Sequence, residues 1–308
     1  MARCDAFSHR IVALTFTALL NASWFVPAQA FTVEDIVAAW NLHSGRIDCI
    51  EYKATQTRKE RVFEPTPDDQ LGYGGKEHAM SPVTLTGSVQ FIKAKDRLAF
   101  HRSSEVWNSK ESNKDVLQQH FCFDGTQNLS YVGGLPASVG QITPSKVPDD
   151  HLTNNIETIP VWWAHFPATQ ITQAGDFSLD DFKITGLQDE KHLSVEVVSP
   201  SDDELIYFLT VDPTNGFRVT NAKMQHRGKT VLDVSIDYVR DDTADWRVAA
   251  WDCISVNGLT ISTEVTEFKV NESVPDDAFV VQFPVGTEMV QSKTFQFLPE
   301  EYHNYKEQ

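Results

Sequence analysis

Positively charged residues are scarce in this sequence. The 308 residues include 26 lysines and arginines against 43 aspartates and glutamates, which gives a formal net charge of -17. No lysine- or arginine-rich run offsets this balance locally, and a protein with a net negative charge repels a phosphate backbone. The composition therefore excludes nucleic acid as an expected partner.

Long apolar runs are also missing. The apolar stretch near the N-terminus, residues 11–20, is too short to span the ~30 Å hydrocarbon layer of a membrane. It follows Arg3 and Arg10 and precedes Ala28-Gln29-Ala30, which is the order of a cleaved export signal. We therefore predict a signal peptide over residues 1–30, no transmembrane segment after its cleavage, and a periplasmic or secreted location. An uncleaved membrane anchor is the alternative.

Cysteine is limited to four residues, of which Cys4 lies within the predicted signal. Cys49, Cys122 and Cys253 lie far apart and form no Cys-x-x-Cys motif. One disulfide with a leftover thiol and a set of buried reduced thiols both fit this pattern. Closely spaced histidines are missing as well, so we predict no metal site and no cofactor.

Common enzyme signatures are absent. The sequence contains no His-Glu-x-x-His, no Gly-x-Ser-x-Gly and no phosphate-binding loop. His165 stands among aromatic residues, and we interpret it as a buried structural imidazole rather than a catalytic one. His101 and His120 fall on neighbouring predicted strands and are expected to face each other.

Paired aspartates do recur, and two carboxylates are what glycoside hydrolysis requires. Aspartate also favours turns, so we interpret the pairs as solvated turn residues and keep an acid-catalysed hydrolase as a third hypothesis. The pairs are Asp68-Asp69, Asp149-Asp150, Asp180-Asp181, Asp202-Asp203, Asp241-Asp242 and Asp276-Asp277.

Apolar residues make up 41% of the chain and aromatic residues 11%, which is enough to form a core. One amphipathic helix is indicated near the start. Thr32 is a suitable N-cap, Gly45 is a stop, and the apolar residues between them share one face at helical spacing. These residues are Val33, Ile36, Val37 and Trp40.

Alternation with period two dominates the rest of the chain and predicts about ten strands joined by short turns, of which Asn257-Gly258 is the sharpest. Residues 63–82 and 133–154 are predicted loops, and a short helix follows Thr158. An antiparallel sheet of this width should curl. The predicted fold is mainly β (α+β): a large curved antiparallel sheet forming an open half-barrel, plugged by an N-terminal helix and a short central helix, as a single domain over residues 31–308.

A curled sheet has a concave face that apolar residues must fill. We predict an apolar cavity there, suited to an acyl chain, while an ordinary core is the alternative. Two consecutive tryptophans on a short helix should not both point inward, so one is expected at the surface or at a cavity mouth. The candidate ligand-binding residues are Trp40, Phe91, Phe100, Trp162, Trp163 and Phe166.

An ordered set of short motifs resembles the periplasmic lipoprotein-carrier fold of LolA, LolB and the RseB amino-terminal domain. It is most similar to exported LolA-like proteins of unassigned role from planctomycete-type bacteria. The motifs are the helix ending in Trp40, Gly87-Ser88-Val89-Gln90-Phe91 before Lys93, Phe123-Asp124-Gly125-Thr126 before Tyr131, and a closing strand over residues 278–286 with Phe-x-x-x-Phe-Pro-x-Gly.

The resemblance implies a carrier whose helices are held by a basic latch. In the carriers the hairpin tends to read Trp-Val-Lys-Arg-Pro, whereas residues 91–95 read Phe-Ile-Lys-Ala-Lys, so Lys93 is the candidate latch in place of an arginine. We therefore expect an exported, non-enzymatic protein that holds a lipid, an acyl chain or a lipoprotein segment. The alternative is an envelope sensor or scaffold that binds a protein partner through the sheet, without a lipid ligand.

Overall fold

The computed structural model describes residues 31–63, 80–108, 111, 113–134, 138–172, 178–189, 191–199, 202–241 and 245–291. The predicted signal peptide lies outside the described residues. In the described part of the chain, one sheet of 14 strands carries most of the fold. The strands are β1 Cys49–Phe63, β2 Met80–Ala94, β3 Arg97–Asn108, β4 Asn113–Phe123, β5 Gln127–Gly133, β6 Val139–Pro144, β7 Phe182–Asp189, β8 His192–Ser199, β9 Asp202–Asp212, β10 Arg218–His226, β11 Lys229–Asp241, β12 Asp245–Ser255, β13 Thr260–Val270 and β14 Glu288–Gln291.

The order of the strands across the sheet is β14-β6-β5-β4-β3-β2-β1-β13-β12-β11-β10-β9-β8-β7. Neighbouring strands are antiparallel, except that β14 runs parallel to β6. Two meanders, β1 to β6 and β7 to β13, meet where β1 pairs with β13. The sheet ends at β14 and β7 without closing, so the predicted open half-barrel with helices is confirmed.

The helices are α1 Val33–Ser44, α2 Asp150–Thr153, α3 Ile159–His165 and α4 Pro167–Thr172. They cover one face of the sheet, which we call the inner face. The larger apolar core lies between the helices and this face and includes Trp40, Tyr52 and Trp163. None of the helices in the described ranges combines the length and the apolar character needed to cross a bilayer.

Helix α1 begins and ends where the sequence predicts. The Thr32 hydroxyl accepts a hydrogen bond from the Asp35 backbone N–H (3.2 Å), and the Asp35 carboxylate accepts one from the Thr32 N–H (3.0 Å). This capping box satisfies two backbone donors that the first turn leaves free. Gly45 is the C-cap, and its N–H donates to the Asn41 carbonyl.

The sheet has more strands than the alternation predicts. Strand β6 lies inside residues 133–154, which the sequence marks as a loop because of their glycines and proline. Gly140 in this strand is required by close packing, since a Cβ there would lie 2.5 Å from Cδ1 of Phe283. The glycine that predicts a loop is therefore present because the Phe283 ring packs against the strand at this position.

The predicted closing strand over residues 278–286 is wrong. This segment begins in a 3-10 helix, Asp276–Phe279, and continues without strand pairing until β14. Phe279 and Val281 instead pack on the outer face of the sheet in a second apolar cluster with Ile92, Ala99 and Cys122. The apolar residues of this segment do alternate. They alternate because their side chains pack on the sheet, not because the segment pairs as a strand.

The outer cluster generates a stability prediction. Phe279 is buried and stacks under the Arg97 guanidinium, whose carbon lies 4.3 Å from the ring centroid. We expect Phe279→Ala to lower the free energy of unfolding by about 3–5 kcal/mol, because truncating a buried phenylalanine removes its burial and leaves a cavity. Urea denaturation measures this change. The control is Val280→Ala at a residue that is 56% exposed, which should shift stability by less than about 0.5 kcal/mol. Equal effects of the two variants would contradict the described packing.

Candidate functional site

The six predicted aromatic residues all belong to the core between the helices and the inner face, and all are buried. Phe91 and Phe100 lie directly opposite each other on β2 and β3. Trp162 of α3 packs edge-on against Phe91, with ring centroids 6.0 Å apart, and lies 5.4 Å from Phe166. These four residues form one aromatic group beneath α3.

The other two aromatic residues lie apart from that group. Trp40 of α1 contacts Phe182 at the start of β7, with ring centroids 6.5 Å apart, and its indole N–H donates to the Phe217 carbonyl (2.7 Å). Trp163 contacts Tyr207 of β9 at 5.6 Å. The structure therefore distributes the predicted set along the inner face from β3 to β7.

The expectation that one of the two consecutive tryptophans reaches the surface is wrong. Trp162 and Trp163 are each only 3% exposed. Helix α3 sits in a curved sheet, so both sides of the helix meet protein. Trp162 turns toward β2 and donates its indole N–H to the Leu152 carbonyl (3.1 Å), while Trp163 turns toward β9.

Trp163 nevertheless borders a cavity of about 250 Å³ between α3, α4 and strands β9 to β11. Its volume is slightly below the range of roughly 300–1,000 Å³ that is typical of small-molecule sites. The lining is mainly apolar at the sheet, with amide groups on the helix side. The lining residues are Asn154, Ile159, Trp163, Gln170, Tyr207, Ala222, Lys223, Met224 and Leu232.

Lys93, the candidate latch, points to the inner face and lies over the Phe166 ring, with Nζ 4.8 Å from its centroid. The same ammonium donates to the Lys95 carbonyl (2.9 Å). Burial lowers the pKa of Lys93, although Asp96 and Asp48 oppose this shift. Lys93 thus contacts the segment that follows α3 through a cation–π interaction, which lacks the directional fork of an arginine.

A chain of polar side chains attaches α1 and α3 to the sheet. The Tyr52 hydroxyl of β1 is hydrogen-bonded to Nε2 of His165, and Nδ1 of His165 lies 3.4 Å from Nε2 of His43. Arg218 of β10 donates to the same His43 nitrogen (3.3 Å). Arginine has only donors, so His43 Nε2 is the acceptor, His165 carries its proton on Nδ1, and Tyr52 donates. Ser44 adds a bond from its hydroxyl to the His165 carbonyl (2.9 Å).

The position of His165 confirms its interpretation as a buried structural imidazole. Burial, followed by the neighbouring His43 and Arg218, lowers its pKa well below the usual value. The sequence did not indicate its partners, because His43 and Tyr52 lie 122 and 113 positions before His165 in the chain.

A buried ion pair holds the segment between α2 and α3. Arg102 of β3 donates to Glu157 (3.2 Å), and the Glu157 side chain is 1% exposed. Burial raises the pKa of Glu157, and Arg102 and Arg58 oppose the shift. Removing one partner of such a pair is strongly unfavourable, since it leaves the other charge buried and uncompensated.

Three further polar side chains lie on the inner face beside this pair. Gln56, Thr263 and Trp251 are buried, and their side-chain polar atoms have no hydrogen-bond partner among the described residues. The sequence carries one signal for these residues, a polar side chain at an inward position of an alternating strand. Gln56 occupies an inward position of β1 in the series after Tyr52 and Ala54, where alternation calls for an apolar residue.

Other predictions concern two histidines and the cysteines. His101 and His120 face each other on the outer face, as predicted, with ring centroids 4.8 Å apart. Burial and the neighbouring His120 lower the pKa of His101 to about 4. Cys49, Cys122 and Cys253 are free thiols.

The described aspartate pairs stand at the starts of helices or strands. Asp149 caps α2, Asp180 and Asp181 form a 3-10 turn, and Asp202 opens β9. Asp68, Asp69 and Asp242 lie outside the described residues. The structure therefore places the described pairs at the turn and cap positions that the sequence indicates.

One group among the described residues has metal-ligand spacing: Asp202, Glu204 and His226, whose ligand atoms lie within 4.8 Å of one another. These groups already pair within the protein. His226 contacts Asp202 at 3.3 Å, and Glu204 accepts from Arg227 at 2.7 Å. The group lies at one end of the β9–β10 pair, outside the aromatic core.

No protein-family model and no curated protein matches the sequence. Solved structures with a similar path of the chain include an outer membrane lipoprotein-sorting protein domain from Vibrio parahaemolyticus, with 9% identity and a TM-score of 0.42 over 80% of this chain and 97% of that one. A DUF1329 family protein from Desulfovibrio piger has 10% identity and a TM-score of 0.44 over 80% of this chain and 97% of that one.

A LolA superfamily protein from Nitrosomonas europaea has 11% identity and a TM-score of 0.41, over 82% of this chain and 99% of that one. At this level of similarity, these structures assign no family, ligand or activity to the chain.

The buried histidines generate a pH prediction. Because the folded state holds His165 and His101 neutral while the unfolded chain protonates near pH ~6.5, the unfolded state binds more protons as the pH falls. We expect the contribution of these histidines to the free energy of unfolding to be fully present above pH ~6.5. It should decrease toward pH 4, by up to about 1.4 kcal/mol per pH unit for each histidine. Urea denaturation at several pH values measures the slope.

His165→Gln should remove one part of that slope and His101→Gln another, and their effects should add, since the two residues lie on opposite faces of the sheet. A variant that loses the same stability at every pH keeps the slope of its unfolding free energy against pH, so the slopes can be compared directly. A wild-type slope in both variants would contradict the assignment.

Proposed function

We propose that this chain is an exported, non-enzymatic carrier that holds the acyl part of a lipid or lipoprotein between its inner face and its helices. One observation carries the proposal. The helices cover an open sheet through contacts made by side chains, such as Trp40 with Phe182 and Trp162 with Phe91, and the contact surface is lined by aromatic residues.

Three of the four helices among the described residues are too short to be stable by themselves. Helices α2, α3 and α4 contain 4, 7 and 6 residues, whereas isolated helices shorter than about 12–15 residues are marginal in water. They hold their form because they pack on the sheet. An acyl chain that takes the place of their aromatic contacts can therefore displace them without breaking the sheet.

The closed structure has room for only part of a ligand. The 250 Å³ cavity beside Trp163 is already open, whereas the group around Phe91 is buried and does not line this cavity. Binding a full acyl chain consequently requires α3 and the segment after it to move outward. The ligand would select this open state from a closed population.

The energetic scale of such an exchange is favourable. Each CH₂ group withdrawn from water contributes about 0.8 kcal/mol, so a 14-carbon chain contributes on the order of 10 kcal/mol before the ordering costs. That gain exceeds the roughly 1–2 kcal/mol of a partly buried cation–π contact such as Lys93 with Phe166. A ligand of this size can offset the release of several helix contacts.

Close packing of the aromatic residues also fits the second candidate, a sensor or scaffold whose inner face is permanent core and whose sheet binds a protein partner. The two candidates differ in whether the inner face takes up a chain. Acyl uptake therefore decides between them.

The test is titration of the delipidated protein with a fluorescent fatty acid. We expect saturable uptake by the wild type and at least a tenfold loss in Ala222→Phe, because the added ring fills the cavity beside Trp163. The matched control is Ala250→Phe, on the strand face that pairs with exposed Glu264 and Asp237, which should bind like the wild type. Wild-type protein without saturable uptake rules out the carrier, and undiminished uptake by Ala222→Phe rules out this cavity as part of the path.

The role of Lys93 as a latch gives a kinetic prediction. Lys93→Met keeps the aliphatic contact with Phe166 but removes the cation–π interaction. We expect fatty-acid uptake to become about two- to fivefold faster in stopped-flow measurements, because a weaker closed state populates the open state more. Lys93→Arg serves as the control and should retain the wild-type rate or a slower one. An unchanged rate in Lys93→Met would show that Lys93 does not hold the plug.

A further inference from the structure

Three polar side chains form a row across the inner face of the sheet. Gln56 of β1 lies directly opposite Thr263 of β13, and Thr263 lies directly opposite Trp251 of β12. Side chains opposite each other in this way stand about 4.5–5.5 Å apart at their Cβ atoms. Gln56, Thr263 and Trp251 are 4%, 1% and 2% exposed. We call these residues the polar row.

The polar atoms of the row are unpaired. Nε2 and Oε1 of Gln56, Oγ1 of Thr263 and Nε1 of Trp251 make no hydrogen bond with any described residue. Buried polar groups in proteins are nearly always paired, because an unpaired one destabilises the folded state. Several such atoms on three neighbouring core strands therefore indicate that a ligand binds them.

The polar row lies under the same helices as the aromatic residues. Cys253, two residues from Trp251 on β12, donates to the Ile156 carbonyl (3.5 Å), so the segment between α2 and α3 covers this part of the sheet. The Trp251 ring packs edge-on against Tyr52, with centroids 6.4 Å apart, and Tyr52 contacts His165 of α3. Movement of α3 that admits an acyl chain would uncover the row as well.

The chemistry of the row favours a neutral acceptor. The amide NH₂ of Gln56, the hydroxyl of Thr263 and the indole N–H of Trp251 all donate, whereas only the first two side chains can accept. Two arginines of strands β1 and β3 are already paired with carboxylates, Arg102 with Glu157 and Arg58 with Glu60 (3.1 Å). Because these two charges are paired, they would not offset the desolvation of a phosphate or carboxylate, whereas a carbonyl oxygen needs only the hydrogen bonds of the row.

We propose that the polar row is a subsite for carbonyl groups, which binds the ester or amide linkages of an acylated glycerol while its hydrocarbon chains occupy the aromatic part of the inner face. This inference rests on the proposed carrier function and specifies its ligand as an acyl ester rather than a free fatty acid. A glycerolipid and the lipidated end of a lipoprotein both carry this chemistry.

The test compares two fluorescent glycerol probes that differ only in their carbonyls: an ester-linked diacylglycerol and the ether-linked dialkylglycerol with the same chains. We expect the wild type to bind the ester about tenfold more tightly, the effect of one or two hydrogen bonds. Gln56→Met and Thr263→Val remove polar atoms at nearly constant shape. Each should reduce the preference for the ester, and together they should remove most of it, since only the Trp251 N–H then donates, while binding of the ether stays unchanged.

A second measurement keeps the test independent of folding defects. Because the variants remove unpaired buried groups, we expect their Tm to rise by roughly 2–4 °C, whereas a merely structural role would lower it. Thr55→Val makes the same change at an exposed position of β1 and should leave both the ester preference and the Tm unchanged.

The outcomes separate the two proposals. Equal binding of ester and ether by the wild type, or an ester preference that is undiminished in the double variant, overturns the carbonyl subsite and leaves the carrier standing. Failure of both probes and of the fatty acid to bind overturns the carrier and the subsite together. A synthetic lipopeptide with a diacylglyceryl cysteine then identifies the source of the carbonyl groups. Tighter binding of the lipopeptide than of diacylglycerol indicates a lipoprotein, and weaker binding indicates a glycerolipid. Either result supports the subsite.

Discussion

The pairing of β1 with β13 is the interaction on which the rest of the structure depends. Strand β1 has β2 on one side and β13 on the other, so Ile50 lies opposite both Lys93 and Val270. This contact joins the first and second meanders into one sheet that is wide enough to have an inner face. Helix α3 then bridges the two meanders, with Trp162 against the first and Trp163 against the second.

The attachment of the helices is partly polar, which distinguishes them from an ordinary apolar core. Tyr52, His165, His43 and Arg218 form one connected set, and Arg102 with Glu157 forms another. Contacts of this kind are directional and sensitive to protonation, and they are weaker per unit of buried area than close apolar packing. A plug held in this way can open at a lower free energy than global unfolding requires, which is the property that a carrier needs.

Buried polar groups on the inner face point the same way. A sequence selected for stability alone would place apolar residues at Gln56 and Thr263, because both stand at inward positions of central strands. Their retention in the core is easiest to understand if the inner face is exposed to a ligand during function. Stability and binding then make opposite demands on the same residues.

Sequence reasoning was most reliable where a local signal decides the structure. The cap at Thr32 and the stop at Gly45 lie at the ends of one helix and were visible in the sequence, as were the alternating strands. It failed where side-chain packing at a distance decides. Residues 278–286 alternate like a strand but lie on the outer face, and β6 forms although Gly140 marks a loop. The burial of both Trp162 and Trp163 follows from the curvature of the sheet around α3, which no local pattern encodes.

The sequence by itself determined that the chain is β-rich, acidic and equipped with an aromatic set, because composition and period-two alternation are properties of short windows. Tertiary structure alone decided which residues meet. Tyr52 with His165, Trp40 with Phe217, and Gln56 with Thr263 are each separated by more than a hundred positions. Contacts across such separations depend on the register and curvature of the whole sheet, and that information is distributed over all of its strands.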